Sequence, residues 1–390
     1  MISSRLPASL EPNALARAIA AKRRAGAAII DLTGTNPTAA GFTYPQALLE
    51  PLANPRALEY EPQPLGLWSA RASVAADFRR RGIVISADRV ALTSSTSEAY
   101  ALLFKLLCDA GDAVLVPHPS YPLFEHLTQL ESVTAIPYLL EYHGSWRIDF
   151  DSVEQAATGR VRAILIVSPN NPTGSFLHRE DLARLSGIAA TKGWAIIGDE
   201  VFADYQLDPA PDAANVLSGA EVLTFSLGGL SKSAGLPQVK LGWIGVGGPP
   251  AKVDEALGAY EIIADTYLSV STPVQAAAAE LIEHGAAIRA QILERIRRNL
   301  ESLRKLAAAV PAVDVLRVEG GWSAVVQVPQ FRTEEHLVLE LLEKDHILVH
   351  PGYFFDFPRE AYLVLSLLID PARFDAAIPK VLKRAAGAQS

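Results

Sequence analysis

From about residue 67 the chain alternates between short apolar runs and longer stretches whose apolar positions recur at helical spacing. The runs at 89–93, 113–116, 133–138, 162–167, 194–198, 222–226 and 242–246 predict strands, and 67–81, 98–109 and 179–192 predict helices between them. Nearly all-apolar strands separated by helices mean a largely parallel sheet covered on both faces. Ligands in such sheets bind beyond the carboxyl ends of the strands, so chemistry is expected in the polar turns that follow each run. Upstream, 11–24 predicts a helix, 28–33 a short strand, and 34–44 a loop containing Gly34, Pro37 and Gly41. Downstream, a long helical pattern at 273–309 leads into strands at 313–318, 324–328, 347–349 and 362–367, with helices at 333–345 and 372–386. That mixture predicts a smaller α+β domain. The division expected is an N-terminal arm (1–45) packing with the small domain, a large α/β domain (46–275) and the small domain (276–390).

Composition changes this picture little. At 390 residues the chain exceeds one simple core. Apolar residues make up 49% and charged residues 20%, the ordinary balance of a soluble enzyme. A formal net charge of -8 argues against nucleic acid as a partner, because phosphate backbones need a basic face. The single cysteine, Cys108, excludes an intramolecular disulfide and reads as core packing, which fits a reducing compartment. The first ten residues hold no apolar run of signal-peptide length, and no segment approaches a membrane span, so a cytoplasmic location is expected.

Five turns carry candidate chemistry. Thr93-Ser94-Ser95-Thr96-Ser97-Glu98 joins a strand to a helix. It fits a plain N-cap as well as an anion site made of hydroxyls and free N–H groups. In Val116-Pro117-His118-Pro119-Ser120-Tyr121-Pro122 the prolines stiffen a turn that can present the Tyr121 ring, or simply bury it. Ser168-Pro169-Asn170-Asn171-Pro172-Thr173-Gly174 is, as local chemistry, only a turn. Asp199, in Ile197-Gly198-Asp199-Glu200, ends an apolar strand, where an unpaired carboxylate is costly; it either caps the next helix or awaits a cation. Lys232, in Gly229-Leu230-Ser231-Lys232-Ser233-Ala234-Gly235-Leu236-Pro237, sits in a small-residue turn, well placed to form a Schiff base with an aldehyde.

Taken together, in this order, these segments resemble the pyridoxal-phosphate enzymes of the class I/II aminotransferase family, fold type I. The resemblance implies a mainly parallel seven-stranded sheet between helices plus a smaller α+β domain. It implies that Lys232 holds pyridoxal 5'-phosphate and then acts as acid and base, and that Asp199 pairs with the cofactor's ring nitrogen. Tyr121 would stack on the ring and Asn171 would meet its phenolic oxygen. Ser95, Thr96, Ser231 and Lys240 would hold the phosphate. Tyr60 would reach a neighbouring subunit's phosphate, which implies a homodimer with shared sites. The loop Gly34-Thr35-Asn36-Pro37 would border the substrate together with Asn171, and Gly320-Gly321-Trp322 and His350-Pro351-Gly352 look like small-domain landmarks of the family.

Four positions depart from the resemblance. Phe202 stands where many relatives have tyrosine. Gly229 stands where a phosphate-binding serine is common, with Ser231 or Ser226 as substitutes. Lys240 replaces an arginine and supplies charge without the planar fork. Val364 falls where relatives carry the arginine that grips the substrate's α-carboxylate, leaving Arg359 as the nearest substitute cation. The function expected is amino-group transfer between an amino acid or amine and a 2-oxo acid, without metal. β-Elimination on the same cofactor is the alternative, and a ligand-sensing module without catalysis a third reading.

Overall fold

The computed structural model describes residues 2–7, 9, 11–157, 159–219 and 221–387. After a helix at Ala14–Arg24 comes the two-residue strand β1 (Ile30–Asp31). The main sheet follows in chain order: β2 (Val90–Thr93), β3 (Ala113–His118), β4 (Thr134–Tyr142), β5 (Trp146–Ile148), β6 (Val161–Val167), β7 (Ala195–Asp199), β8 (Thr224–Gly229) and β9 (Gly242–Gly247). Among the described residues these form an eight-stranded sheet in the order β2-β9-β8-β7-β6-β3-β4-β5. Pairs within the run β8-β7-β6-β3-β4 are parallel, whereas β9 is antiparallel to both neighbours and β5 to β4. The seven expected strands are all present. The eighth, β5, is a three-residue edge strand too short to show a period.

The second sheet is built from β10 (Asp314–Val315), β11 (Ser323–Gln327), β13 (His350–Pro351) and β14 (Tyr362–Ser366), while β12 (Ile347–Leu348) pairs in parallel with β1. Its order is β10-β11-β14-β13 and every pair is antiparallel. The apolar run expected as one strand at 347–349 thus serves two sheets, with Val349 as the switch. The run expected at 313–318 forms a ladder only at Asp314–Val315.

Helices cover both faces of the main sheet. Pro250–Tyr267 falls where the hydrophobic pattern gave no element. Its buried residues Val253, Ala256, Tyr260 and Ala264 keep helical spacing, but two of them are alanines and the surrounding alanines blur the stripe. The pattern at 273–309 resolves into Thr272–Ala276 and Ala278–Ala307, broken at Ala277. The longer helix buries Leu281, Ile288, Ile292, Ile296, Leu300 and Leu303, one continuous stripe. At Gly285 it presses on the turn after β8: a Cβ there would lie 2.4 Å from the Ala234 Cβ. Helix and turn can meet this closely only because 285 has no side chain.

One buried carboxylate anchors the edge of the small sheet. Glu334 accepts hydrogen bonds from the backbone N–H groups of Tyr353 (2.8 Å), Ala361 (2.8 Å) and Tyr362 (2.7 Å). It ties the segment between β13 and β14 to the start of the helix Glu334–Glu340. Three otherwise orphaned donors are satisfied by one side chain.

Candidate active site

The site lies beyond the carboxyl ends of β6, β7 and β8. Asp199 is the last residue of β7, and its ladder partner is Leu227 of β8. Two residues on, β8 ends at Gly229 and turns into the short helical turn Leu230–Ser233, which carries Lys232. The turn is tight: a Cβ at Gly229 would meet the Leu241 carbonyl oxygen at 3.0 Å. The serine that relatives place here would crowd this backbone, which is the physical content of that departure.

Three aromatic residues enclose Lys232. Its Nζ lies 4.9 Å from the Trp322 ring centroid and 5.5 Å from that of Phe202. Trp322 in turn packs edge-on to Phe202 and Tyr205. The Tyr205 hydroxyl donates to the Lys232 carbonyl at 2.5 Å, and the Tyr44 hydroxyl to that of Gly235 at 2.7 Å. Two tyrosines from distant segments therefore pin the turn at both ends. Burial pulls the Lys232 amine below the ordinary lysine range, and the Asp199 charge opposes that shift.

Asp199 shows the same balance from the other side. Burial pushes its carboxyl up to about 6, against hydrogen bonds from the Val201 N–H and the Tyr100 hydroxyl, both at 3.2 Å, and the charge of Lys232. A carboxylate with only two weak donors has unused acceptor capacity. Tyr100 was not singled out from sequence. A wholly buried tyrosine on the helix after the Ser95 turn was the available signal, since such a hydroxyl needs a partner.

The turns after β3 and β6 are tied together by Asn170, not Asn171. The buried Asn170 amide donates to the Pro119 carbonyl and the Thr173 hydroxyl, both at 2.9 Å, and accepts from Ser120 at 3.3 Å. Asn171 is left half-buried, its Oδ1 3.4 Å from the Ser323 hydroxyl of β11. Tyr121 is 47% exposed, an unsatisfactory position for a core tyrosine and a suitable one for an aromatic face. Ser95 is the N-cap of the helix Thr96–Leu107 and accepts from the Glu98 N–H at 3.1 Å, while Glu98 accepts from the Ser94 N–H at 2.6 Å. This resembles a capping box, with Glu98 reaching the N–H one residue before the N-cap. It leaves the Ser95 O–H free to donate, and the Thr96 hydroxyl makes no hydrogen bond among the described residues.

The remaining candidates divide. The Gly34 carbonyl accepts from the Ser366 hydroxyl at 2.5 Å, so the N-terminal loop does border the small sheet at its site end. Ser231 is half-buried, beside Lys232. Lys240 is exposed, with a left-handed backbone (φ 63°), and Tyr60 is 73% exposed; neither side chain makes a hydrogen bond or ion pair among the described residues. Ser226 is not available as a substitute donor, because its buried hydroxyl donates to Glu200 at 2.5 Å. Arg359 does not belong to this group either. It is exposed, and its guanidinium donates to the Tyr362 hydroxyl at 3.0 and 3.1 Å, at the end of β14 remote from Ser366.

A lysine amine framed by aromatic rings and a carboxylate with spare acceptor capacity thus lie beyond the ends of two adjacent parallel strands. Residues 43–378 match the family described as Aminotransferase class I and II, and the chain belongs to that family. It is 25% identical over 366 residues to the glutamate-pyruvate aminotransferase AlaA of Haemophilus influenzae, covering 92% of this chain and 91% of that one. It is 27% identical over 366 residues to the alanine aminotransferase of Mycobacterium tuberculosis, covering 91% and 85%. Among solved structures, an aminotransferase from Escherichia coli superposes with a TM-score of 0.86 at 23% identity, over 100% of this chain and 99% of that one. Alanine aminotransferase from Pyrococcus furiosus gives 0.85 at 24% identity, over 98% and 100%. The fold is that of the fold type I aminotransferases, and the enzyme is an aminotransferase.

Proposed function

We propose that this aminotransferase uses pyridoxal 5'-phosphate and works as a cytoplasmic homodimer with shared sites, divided into the arm, large and small domains expected above. The donor set fits that cofactor. Lys232 offers a buried primary amine, and Asp199 an underused carboxylate edge. Tyr121 offers an aromatic face, and the start of the helix Thr96–Leu107 an anion-favouring end. Lys232 would hold the aldehyde carbon, Asp199 the ring nitrogen, and Asn171 the phenolic oxygen. Ser95, Thr96, Ser231, Lys240 and the Tyr60 of a second copy would hold the phosphate. When bound, the cofactor supplies an electron sink that lets a proton leave the carbon bearing the substrate's amine. Lys232 Nζ takes that proton and returns it at the next position. The burial that lowers its pKa leaves more of it neutral, as a base must be. Asp199 would hold a positive charge on the ring nitrogen at the far end of the same site, where its own negative charge makes the proton hard to lose. The observation that carries this reading is geometric: a carboxylate with spare acceptor capacity ends β7, and a lysine amine framed by Trp322 and Phe202 stands in the turn after the neighbouring β8.

The names of the relatives point to small donors. Titrating the cofactor-loaded protein with a small donor, L-alanine or its amide, is expected to bleach its yellow absorbance in stoichiometric amount, without free ammonia. Ammonia released while the colour persists would mean β-elimination instead.

The shared site is supported by an apolar surface in a single chain. Leu58 is 90% exposed, Tyr60 73% and Trp68 59%. Tyr60 and Leu268 line one groove with Pro62, Gln63 and Thr272. Large apolar side chains exposed together in one stretch of chain support an interface there. Replacing Leu58 and Trp68 together by glutamate is expected to convert the dimer to monomer by light scattering and to reduce activity at least about tenfold. A wild-type protein that is monomeric at micromolar concentration would refute the arrangement.

A further inference from the structure

The strand register of the small sheet shows what faces the substrate beside Asn171. In β14, Ser366 pairs with Ser323 and Val364 pairs with Val325. On its other side Val364 pairs with His350 of β13. Directly opposed residues of antiparallel strands share a face, as do residues two apart along one strand. Ser366, Ser323, Val364, Val325 and His350 therefore lie on one face. It is the face that Ser323 turns toward Asn171 and Ser366 toward the Gly34 carbonyl. The row holding Val364 and His350 is one step from the row holding Ser323 and Ser366, about 7 Å along the strand.

The His350 ring is held rigidly. It stacks flat on Phe354 (4.8 Å, 6°) and edge-on to Phe355 (5.5 Å, 87°). The Phe355 carbonyl accepts from the Ser120 N–H at 2.9 Å, which sets this aromatic group beside the Tyr121 turn. The ring is half-buried, and its nitrogens make no hydrogen bond among the described residues. An oriented imidazole with unused polar atoms, on the face that meets Asn171, is a recognition group.

The charges around it disfavour an anion. Asp31 is the acidic group that acts on the His350 ring, its carboxylate held by the Thr33 N–H at 2.8 Å and hydroxyl at 2.5 Å. Burial pushes the imidazole down to about 4, so the ring is neutral at physiological pH. No cation is seen to act on the ring, and two guanidiniums of the neighbouring segments are engaged elsewhere: Arg359 on Tyr362, and Arg295 on the carbonyls of Ala40 and Leu368 and the ring of Phe42. Val364 is buried in one apolar cluster with Val325, Phe355 and Tyr362 and brings no charge to this face.

We propose that His350 reads the substrate's second polar group and selects compounds in which that group is uncharged, an amide, ester or hydroxyl, over free amino acids and 2-oxo acids. The inference rests on the aminotransferase reading and concerns which amines and carbonyl compounds this site takes. A neutral imidazole offers one N–H and one lone pair, which suits an amide; a carboxylate there would meet Asp31 without a compensating cation.

The test compares L-alanine with L-alaninamide as donor to the cofactor-loaded protein. Alongside, the affinities of 2-methylalanine and its amide, which cannot transfer their amine, are read by spectral titration. The wild type is expected to bind the amide at least as tightly as the acid in both measurements. Val364→Arg should shift the preference toward the acid by about tenfold or more. His350→Phe keeps an aromatic stack but should weaken amide binding by about three- to tenfold, with little change in the maximal rate. A wild-type preference for the acid of about tenfold or more, or amide affinity unchanged in His350→Phe, overturns the proposal. Alanine bleached and alaninamide ignored would leave the aminotransferase reading standing and this one refuted. If neither donor bleaches the colour, the transfer reading falls, and the 2-methyl pair still decides what His350 selects.

Discussion

Lys232→Ala is expected to lose transamination by at least about 10⁴-fold, the loss that follows removal of a group acting both as covalent anchor and as proton carrier. The substitution removes the amine that stands over Trp322 and Phe202. Lys240 does not replace it: its side chain is exposed and does not stand over these rings, as that of Lys232 does. Lys232→Arg should be equally inactive, since a guanidinium neither bonds to an aldehyde carbon in this way nor gives up its proton. The fold should survive both changes. The turn is held through backbone carbonyls by Tyr205 and Tyr44, not through the lysine side chain. Single-turnover absorbance with L-alanine, beside a thermal melt, measures both expectations. Small primary amines added to Lys232→Ala should restore part of the proton transfer, because the space the side chain leaves remains lined by the same rings. Turnover within tenfold of wild type would mean that another group carries the proton.

How much of this was legible in the chain depends on the range over which each feature is specified. The strands of the main sheet are apolar at nearly every position, as β8 and β9 show by complete burial, and a run of that kind announces itself. Asp199 and Lys232 stand out for a related reason: polar residues directly after such runs have few structural excuses. The helix Pro250–Tyr267 was silent because alanine packs without marking a stripe. His350 was legible only as part of a short motif. Its place opposite Val364 is a matter of strand register, set by the segment from Gly352 to Ala361 and by Glu334, which fixes that segment through three backbone donors. Nothing in the spacing of the two strands along the chain encodes that pairing. Arg359 shows the converse. It is five residues from Val364 in sequence, yet it precedes the strand and its guanidinium is engaged by the Tyr362 hydroxyl. Nearness in sequence is a poor guide along an extended chain, where each residue adds about 3.4 Å.

Asp199→Asn separates the catalytic use of this carboxylate from its cost to the fold, and the two effects should have opposite signs. In the chain without cofactor the carboxyl is raised from 3.8 to about 6, chiefly by burial. A carboxyl raised in the folded state binds more protons there than when unfolded, so its contribution to stability is fully present below the unfolded value. It is lost as pH rises through about 6. At pH 8 the buried charge therefore costs on the order of 1–3 kcal/mol, which asparagine does not pay. The amide oxygen can keep the Val201 N–H while the amide NH2 donates to the Tyr100 oxygen, so the site loses less than it would with alanine. Cofactor-free Asp199→Asn is expected to be more stable than wild type at pH 8, with the advantage disappearing toward pH 4. The loaded enzyme should fall about 10²- to 10³-fold in transfer rate, the usual cost of removing a preorganised charge from a buried site. Denaturant titrations at the two pH values and stopped-flow absorbance measure the pair. Equal destabilisation at both pH values would mean that the carboxylate serves the fold rather than a bound cation. A gain in stability with transfer intact would mean that its charge is not what holds the ring nitrogen. Only the combination of a stabler empty chain and a slower loaded one fits a residue whose buried charge is kept for its ligand.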